Sequence, residues 1–184
     1  DLQELARLPA PGTAEMRALE RRLKVRFAEL ASEFEDEVAA GECEAPSAAL
    51  AKIAAGRLKP RSFMHGRVVE ALVATLGKQL PNETWEKFSS RLFSDLDDEL
   101  TARGLKGPDA MVKIVQSGVP VMGKTVRQPE CGSMSAAQVV KVGALIDAMD
   151  LSKLTPLQRE GAAEWRAWMR ACDKKKQGLV IFGG

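Results

Sequence analysis

Residues Gly118–Thr125 read GVPVMGKT, which has the GxxxxGKT spacing of a phosphate-binding loop. Such a loop holds nucleotide phosphates with backbone N–H groups and a lysine, and it lies between a buried strand and a helix. The preceding residues 111–116 could form a short strand, but Pro108 favours the start of a helix. The interior of the segment is proline, valine and methionine rather than small residues, and no apolar strand that ends in aspartate is predicted. We therefore predict no nucleotide site.

Other residues that could do chemistry are isolated. His65 is the single histidine and lies at the start of an apolar segment, which indicates a structural role. Cys43, Cys131 and Cys172 are far apart and lack the paired spacing of a zinc site. The acids Asp97–Glu99 diverge around a helix, so a solvated face is expected. The sequence predicts no catalytic residue, no metal, no cofactor and no small-molecule substrate.

Charge is segregated along the N-terminal half, although the formal net charge is only +2. Five basic residues and no acidic residue lie in 45–69, whereas seven acidic residues and no basic residue lie in 29–44. This segregation predicts one basic face that binds a membrane or another phosphate-bearing partner. The alternative is that these charges are the solvated sides of helices. The candidate residues are Arg21, Arg22, Lys24, Arg26, Lys52, Arg57, Lys59, Arg61 and Arg67.

Two partners fit such a face. Nucleic acid would release counterions on binding lysine and arginine, but tyrosine is absent and the apolar stripes use the phenylalanines that base stacking would need. An anionic membrane gains about 1 kcal/mol per surface base. Five bases then give roughly 5 kcal/mol, a submillimolar affinity. If the protein binds a membrane, we therefore expect it to self-associate, because several linked copies would bind far more tightly than one.

Helical periodicity dominates the elements that must position these residues. A helical turn at residues 2–8 precedes a long helix that Thr13 caps and Gly41 ends, with apolar residues spaced three and four apart. The charges of the long helix run from basic to acidic, which opposes the helix dipole. Shorter helices are expected to start at Pro46, Ser62, Asn82 and Pro108, and the helix that starts at Ser62 should be buried and end at Pro81.

Two capping boxes mark helix starts in the C-terminal part, at Ser135–Gln138 and Thr155–Gln158. Trp165 and Trp168 lie one turn apart in the second of these helices. They are either core anchors or interaction residues at an interface. Residues 179–182 are apolar and too short for a helix, so they are either a tail that docks on a neighbour or the cut edge of a longer segment.

Apolar and polar residues do not alternate one by one, as in a β-strand, over more than four or five residues. The sequence therefore predicts an all-α protein of eight to nine helices, arranged as two small helical bundles joined by a linker. The N-terminal bundle would span 1–104, a short helix and linker 105–134, and the C-terminal bundle 135–184. Residues 119–134 are the least regular part and the candidate linker or domain boundary, with residues 104–107 as the alternative. No apolar run is long enough to cross a membrane.

The order of these features resembles that of orthomyxovirus matrix proteins. Leu58–Pro60 precedes an apolar helix that contains Gly66, and Pro81–Glu83 forms a turn into the next helix. Ala110–Lys113 and residues 135–149 follow in the same order as in that family. The resemblance covers about two thirds of the chain and implies two small helical bundles joined by a linker.

The resemblance also implies a viral structural protein that self-assembles on the inner face of an anionic membrane and bridges it to the ribonucleoprotein. Its location would be the virion beneath the envelope, the host cytoplasm and the inner plasma membrane, with the nucleus as an open alternative. Asp95–Glu99 occupy the place of the family's basic run, and the family's Cys/His cluster is absent, so neither that ribonucleoprotein contact nor zinc is implied. The alternatives are a helical nucleic-acid-binding or nucleocapsid protein, and a helical adaptor or effector that binds through Trp165, Trp168 or residues 179–182.

Overall fold

A computed structural model of the chain describes residues 5–182, and 60% of the structure is helical. The predicted turn at residues 2–8 therefore lies partly outside the described residues. Within the described part there are eight α-helices, and two 3₁₀ helices occupy Trp85–Lys87 and Gly107–Asp109. The α-helices are α1 (Ala14–Glu33), α2 (Glu35–Ala39), α3 (Pro46–Ala54), α4 (Phe63–Leu76), α5 (Ser90–Ala102), α6 (Met111–Val115), α7 (Ala136–Ala148) and α8 (Pro156–Lys175).

Four short strands accompany the helices: β1 (Val119–Val121), β2 (Lys124–Val126), β3 (Cys131–Met134) and β4 (Leu179–Phe182). They form two two-stranded sheets, β1 with β2 and β3 with β4. The predicted all-α class is therefore wrong, and the fold is mixed although mostly helical. Strands of three or four residues are too short to show a clear alternation. The predicted apolar tail is β4, whose partner strand lies more than forty residues earlier in the chain.

The segment with phosphate-loop spacing is a β-hairpin. Val119 pairs with Val126 and Val121 pairs with Lys124 in antiparallel register. Met122 and Gly123 form the turn, with φ angles of 48° and 76°. Positive φ at both central residues is typical of a two-residue hairpin turn. The segment thus has a strand on both sides, and not the strand and helix that a phosphate-binding loop requires.

The described residues form two compact units. The first unit comprises residues 5–78, 118–131 and 182, and the second comprises 79–117 and 132–181. In the first unit α1, α3 and α4 pack together, and α4 is buried over most of its surface, as predicted. Ser62 caps α4 by accepting the His65 N–H at 3.5 Å. The helix ends at Gly77 rather than at Pro81.

Helices α1 and α4 run antiparallel. Arg22 of α1 donates from Nη2 to the Thr75 carbonyl oxygen near the end of α4, at 2.9 Å. Phe34, which ends α1, packs against Phe63 at the start of α4. The predicted long helix breaks at Phe34, where φ is −117° and ψ is 31°. The basic half of α1 therefore lies near one end of α4 and its acidic half near the other.

The second unit is organised around aromatic side chains. Trp85 packs against Trp165 and Trp168 with ring centroids 5.7 and 5.9 Å away, and Phe88 lies 4.7 Å from it. Both predicted capping boxes are confirmed, at the starts of α7 and α8. The helix predicted to start at Asn82 begins instead at Ser90, because the Ser89 hydroxyl caps it by accepting the Leu92 N–H.

None of the helices in residues 5–182 combines the length and the apolar character needed to span a bilayer.

Candidate functional site

The basic loop, residues 57–61, lies in the first unit between α3 and α4. Its Leu58 side chain is buried in the core at 2% exposure. Arg57, Lys59 and Arg61 are exposed, and they make no ion pair with any residue in the described part of the chain. Because the Leu58 side chain points into the core, the side chains of Arg57 and Lys59 on either side of it point toward solvent. The loop thus presents three unpaired positive charges within five residues.

Two side chains hold the backbone of the basic loop. The Lys124 ammonium donates to the Leu58 carbonyl oxygen at 3.0 Å. The Lys59 N–H donates to Nδ1 of His65 at 3.0 Å. Consecutive backbone groups of the loop are thus bonded to a β-hairpin and to a helix. These bonds favour one loop conformation, so the loop loses less conformational entropy when it binds a partner.

His65 is fully buried and both of its ring nitrogens are occupied. Because Nδ1 accepts the Lys59 N–H, the neutral ring carries its proton on Nε2, which donates to Oε1 of Glu44 at 2.9 Å. The Lys52 ammonium lies 2.7 Å from the other Glu44 oxygen. Burial by itself raises the pKa of Glu44, but the hydrogen bonds from Lys52 and His65 outweigh it and lower the pKa. Neither ring nitrogen is free to take a proton from a substrate.

An open groove of about 920 Å³ runs beside the basic loop. Its walls come from the segment before α3, from α3 itself, from the loop and from the start of α4, and include Cys43, Lys52, Lys59, Arg61 and Phe63. Burial first, and then the carboxylates of Glu37, Glu42 and Glu44, raise the pKa of the Cys43 thiol. This thiol is therefore a weak nucleophile at neutral pH. The groove offers cationic and apolar contacts rather than a reactive group.

Phe63 is the aromatic residue of the groove, and it is 41% exposed. The Arg67 guanidinium lies over its ring, 5.0 Å from the centroid, and also pairs with Glu70 at 3.0 Å. An exposed aromatic beside unpaired bases is suited to a lipid interface or to an unstacked base. Sequence reasoning did not identify Phe63. The available signal was that it directly precedes Met64, the first residue of the apolar stripe.

The nine predicted basic residues do not form one face. Lys52 and Arg67 are paired with acids, so they contribute little free charge. The bases of α1 lie near the end of α4 that is remote from the basic loop, since Arg22 bonds Thr75. Thr75 lies twelve residues after Phe63, which is about 18 Å along a helix.

The bases of α1 are also divided among themselves. Arg21 and Lys24 are three residues apart and share one side of the helix, whereas Arg22 and Arg26 are four apart and share the other. The buried stripe of Leu19 and Leu23 lies between the two pairs. Arg57, Lys59 and Arg61 are therefore the members of the predicted set that lie within one short loop, and they are exposed and form no ion pair with residues 5–182.

Trp165 and Trp168, the predicted interaction residues, are 1% and 7% exposed. The structure thus places them in the aromatic core of the second unit, where burial of large rings stabilises packing. Trp168 donates from Nε1 to the Pro81 carbonyl oxygen at 2.6 Å. Neither indole is available to a partner at the surface.

The acidic run 97–99 is only partly solvated. Asp97 is buried, and its carboxylate accepts the Val112 N–H at the start of α6, at 3.2 Å. Asp98 and Glu99 are exposed, as expected for a solvated face. Among residues 5–182 no group of three or more histidine, cysteine, aspartate or glutamate side chains could hold a metal ion.

Fold and site together define a mostly helical protein with two small two-stranded sheets and a positively charged loop whose backbone is hydrogen-bonded to its neighbours. The chain belongs to the family described as Domain of unknown function (DUF7691), which matches residues 1–184. No curated protein and no solved structure shows significant similarity to the chain.

Proposed function

We propose that this protein is a matrix-type structural protein that binds an anionic membrane through the basic loop and assembles into a layer there. The observation that supports the proposal is a set of three exposed bases, Arg57, Lys59 and Arg61, that form no ion pair within residues 5–182 and lie on a loop whose backbone is hydrogen-bonded at Leu58 and Lys59. The guanidinium groups match lipid phosphates in shape and charge. The fixed loop would lose little entropy on binding.

Phe63 adds an apolar contact beside the charges. Because its ring is 41% exposed next to the groove, it could enter the boundary between headgroups and acyl chains while the bases bind phosphates. The combination of an aromatic ring and several bases is typical of surfaces that lie in the membrane interface. The depth of such a contact is set by one ring, so the binding is peripheral.

The attraction of a single copy to the membrane is weak, so stable binding requires several copies to assemble. Three free bases at about 1 kcal/mol each give roughly 3 kcal/mol, which corresponds to a dissociation constant of several millimolar. This is weaker than the estimate for five free bases, since Lys52 and Arg67 are paired. Multivalent attachment of neighbouring copies would raise the affinity by orders of magnitude. Self-association is therefore part of the proposal, and bridging to a ribonucleoprotein stays an expectation of the family resemblance.

A second candidate is binding of single-stranded nucleic acid. Phe63 supports it, because an exposed ring beside Lys59 and Arg61 could stack a base while the cations bind the flanking phosphates. A single ring gives one stacking position, whereas strand-binding surfaces commonly use several. We therefore place this function after membrane binding.

Co-sedimentation with liposomes tests the proposal. The protein should pellet with vesicles that contain phosphatidylserine and remain in solution with vesicles of phosphatidylcholine alone. Added salt should reduce the pelleted fraction, because the attraction is electrostatic. A fluorescent single-stranded RNA is tested at the same salt concentrations. Binding of the RNA with a steep salt dependence, together with no pelleting on either vesicle, would replace the membrane proposal by the nucleic-acid one.

A further inference from the structure

The contact between His65 and the basic loop depends on the protonation of one ring nitrogen. The Lys59 backbone N–H is always a donor, so Nδ1 of His65 must be the acceptor at 3.0 Å and must carry no proton. The ring is fully buried, and Glu44 occupies the other nitrogen. A flip of the ring by 180° would exchange Nδ1 with the Cδ2–H group, which cannot accept the Lys59 N–H. The observed arrangement therefore requires the neutral imidazole.

We propose that His65 is a proton-controlled latch on the basic loop. A proton on Nδ1 would place the Nδ1–H opposite the Lys59 N–H, two donors without an acceptor between them. The backbone at Lys59 must then leave the ring, while the protonated ring keeps its bond to the Glu44 carboxylate. Histidine is the side chain that ordinarily changes charge between about pH 5 and pH 8. Protonation of this one nitrogen thus releases a loop that the neutral ring holds.

Several charged groups lie around this contact, and they have opposing effects on the charge of the His65 ring. Glu44 favours the protonated ring, whereas Lys52, which pairs with the same carboxylate, opposes it. Lys59 brings its own ammonium to the loop, and Lys124 from β2 bonds the neighbouring Leu58 carbonyl. The acidic residues of 29–37 lie toward the same end of α4, since Phe34 packs against Phe63. The Lys124 contact survives protonation, so the release is confined to the segment that begins at Lys59.

Amide hydrogen exchange of the unaltered protein gives the primary test. Exchange of the Lys59 amide, corrected for its intrinsic pH dependence, should become faster by roughly an order of magnitude between pH 8 and pH 5. The change should follow the protonation of the His65 ring, observed by NMR on the same sample. The Gly77 amide, which bonds the Val73 carbonyl at the far end of α4, is the internal reference and should not change. Constant exchange at Lys59, or a ring that stays neutral to pH 5, overturns the latch.

Two substitutions separate the roles of the ring nitrogens. In His65→Asn the amide oxygen takes the place of Nδ1, so the Lys59 amide should stay protected at both pH values. In His65→Gln the longer amide reaches Glu44 and leaves the Lys59 N–H without an acceptor, so protection should be lost at both. Equal protection of the Lys59 amide in the two variants would contradict the assignment. The result on the unaltered protein stands even where a variant fails to fold.

The consequence for membrane binding rests on the proposed function. The two variants have the same net charge, and only His65→Asn keeps the loop in place. At equal pH His65→Gln should pellet less with phosphatidylserine vesicles than His65→Asn, because a released loop must be ordered on binding. Equal pelleting by the two variants would overturn this link. Absence of pelleting by all forms would refute the proposed function and leave the amide result unaffected.

Discussion

Phe34 and Phe63 pack edge to face, with ring centroids 5.0 Å apart and an angle of 75° between the rings. This contact joins the end of α1 to the start of α4, and the bond from Arg22 to Thr75 joins the same two helices twelve residues away. The acidic half of α1 is therefore the half that lies near the basic loop. The order of charges in α1, which opposes the helix dipole, brings carboxylates toward the end of the unit where the loop bases lie.

Charge reversal at the basic loop should abolish binding to anionic vesicles. The variant Arg57→Glu/Lys59→Glu/Arg61→Glu loses about 3 kcal/mol of attraction, so its affinity should fall by roughly 100-fold or more. All three side chains are exposed, and the melting temperature should change little. The measurement is co-sedimentation with phosphatidylserine liposomes, with thermal unfolding followed by circular dichroism.

The matched control is Arg21→Glu/Lys24→Glu/Arg26→Glu, which changes the net charge by the same amount on exposed positions of α1. Because these positions lie toward the remote end of α4, this variant should retain most of the binding. Equal losses in the two variants would mean that overall charge, and not the loop, determines attachment.

Replacement of Glu44 should change the pH dependence of stability. Bonds from Lys52 and His65 lower the pKa of this carboxyl in the folded protein, so its contribution is complete above the ordinary glutamate range near pH 4.3 and is lost as the pH falls through the lowered value. Glu44→Gln should therefore destabilise the protein by about 1–2 kcal/mol at pH 7. The difference from the unaltered protein should shrink below about pH 4. Urea unfolding at several pH values measures it.

The neighbouring Glu42 provides the control, because it is exposed and forms no ion pair with any described residue. Glu42→Gln should leave stability unchanged at every pH. A difference for Glu44→Gln that is independent of pH would indicate that shape, and not charge, is what the site requires.

Gly66 should not tolerate a side chain. A Cβ at this position would overlap the carbonyl oxygen of Gln128, which lies directly against α4. Gly66→Ala should destabilise the first unit by about 3 kcal/mol or more, despite the higher helix propensity of alanine. Gly143→Ala in α7 is the comparison, since its Cβ would lie 3.2 Å from the Met169 Cβ and needs only a small shift. Similar stability of the two variants in chemical denaturation would contradict the close approach at Gly66.

Trp168→Phe should cost more stability than Trp165→Phe. Each substitution removes the same volume from the aromatic core, but only Trp168 donates a hydrogen bond, to the Pro81 carbonyl oxygen. Trp165 Nε1 is buried without a hydrogen-bond partner among the described residues. The difference between the two should be about 1–2 kcal/mol. Urea unfolding followed by circular dichroism compares them, and a larger loss for Trp165→Phe would show that packing outweighs this bond.

Nucleotides should not stabilise the protein through residues 118–125. The Lys124 ammonium is bonded to the Leu58 carbonyl, and β2 occupies the place where a phosphate-binding loop would continue into a helix. The melting temperature should be the same with and without ATP or GTP plus magnesium. Stabilisation by a nucleotide that Lys124→Met abolishes would mean that the hairpin rearranges.

The helices and most of their starts were predictable from sequence because their causes are local. Thr13, Ser62, Ser135 and Thr155 each cap a backbone N–H within three residues, and the apolar stripes repeat within one or two turns. The density of bases in residues 57–61 was visible for the same reason. The break at Phe34 and the delayed start at Ser90 were not predicted, because the apolar pattern continues through both positions, although the Ser89 cap is itself local.

Tertiary structure alone decided the strands and the composition of the site. Residues 131–134 and 179–182 become strands only by pairing with each other, and neither segment has a pattern that identifies its partner. Glu44 bonds His65 across 21 residues of sequence, and Lys124 bonds Leu58 of the basic loop across 66. The sequence by itself determined a helical protein with a basic loop. Folding separated that loop from the bases of α1, because antiparallel packing places them toward opposite ends of α4.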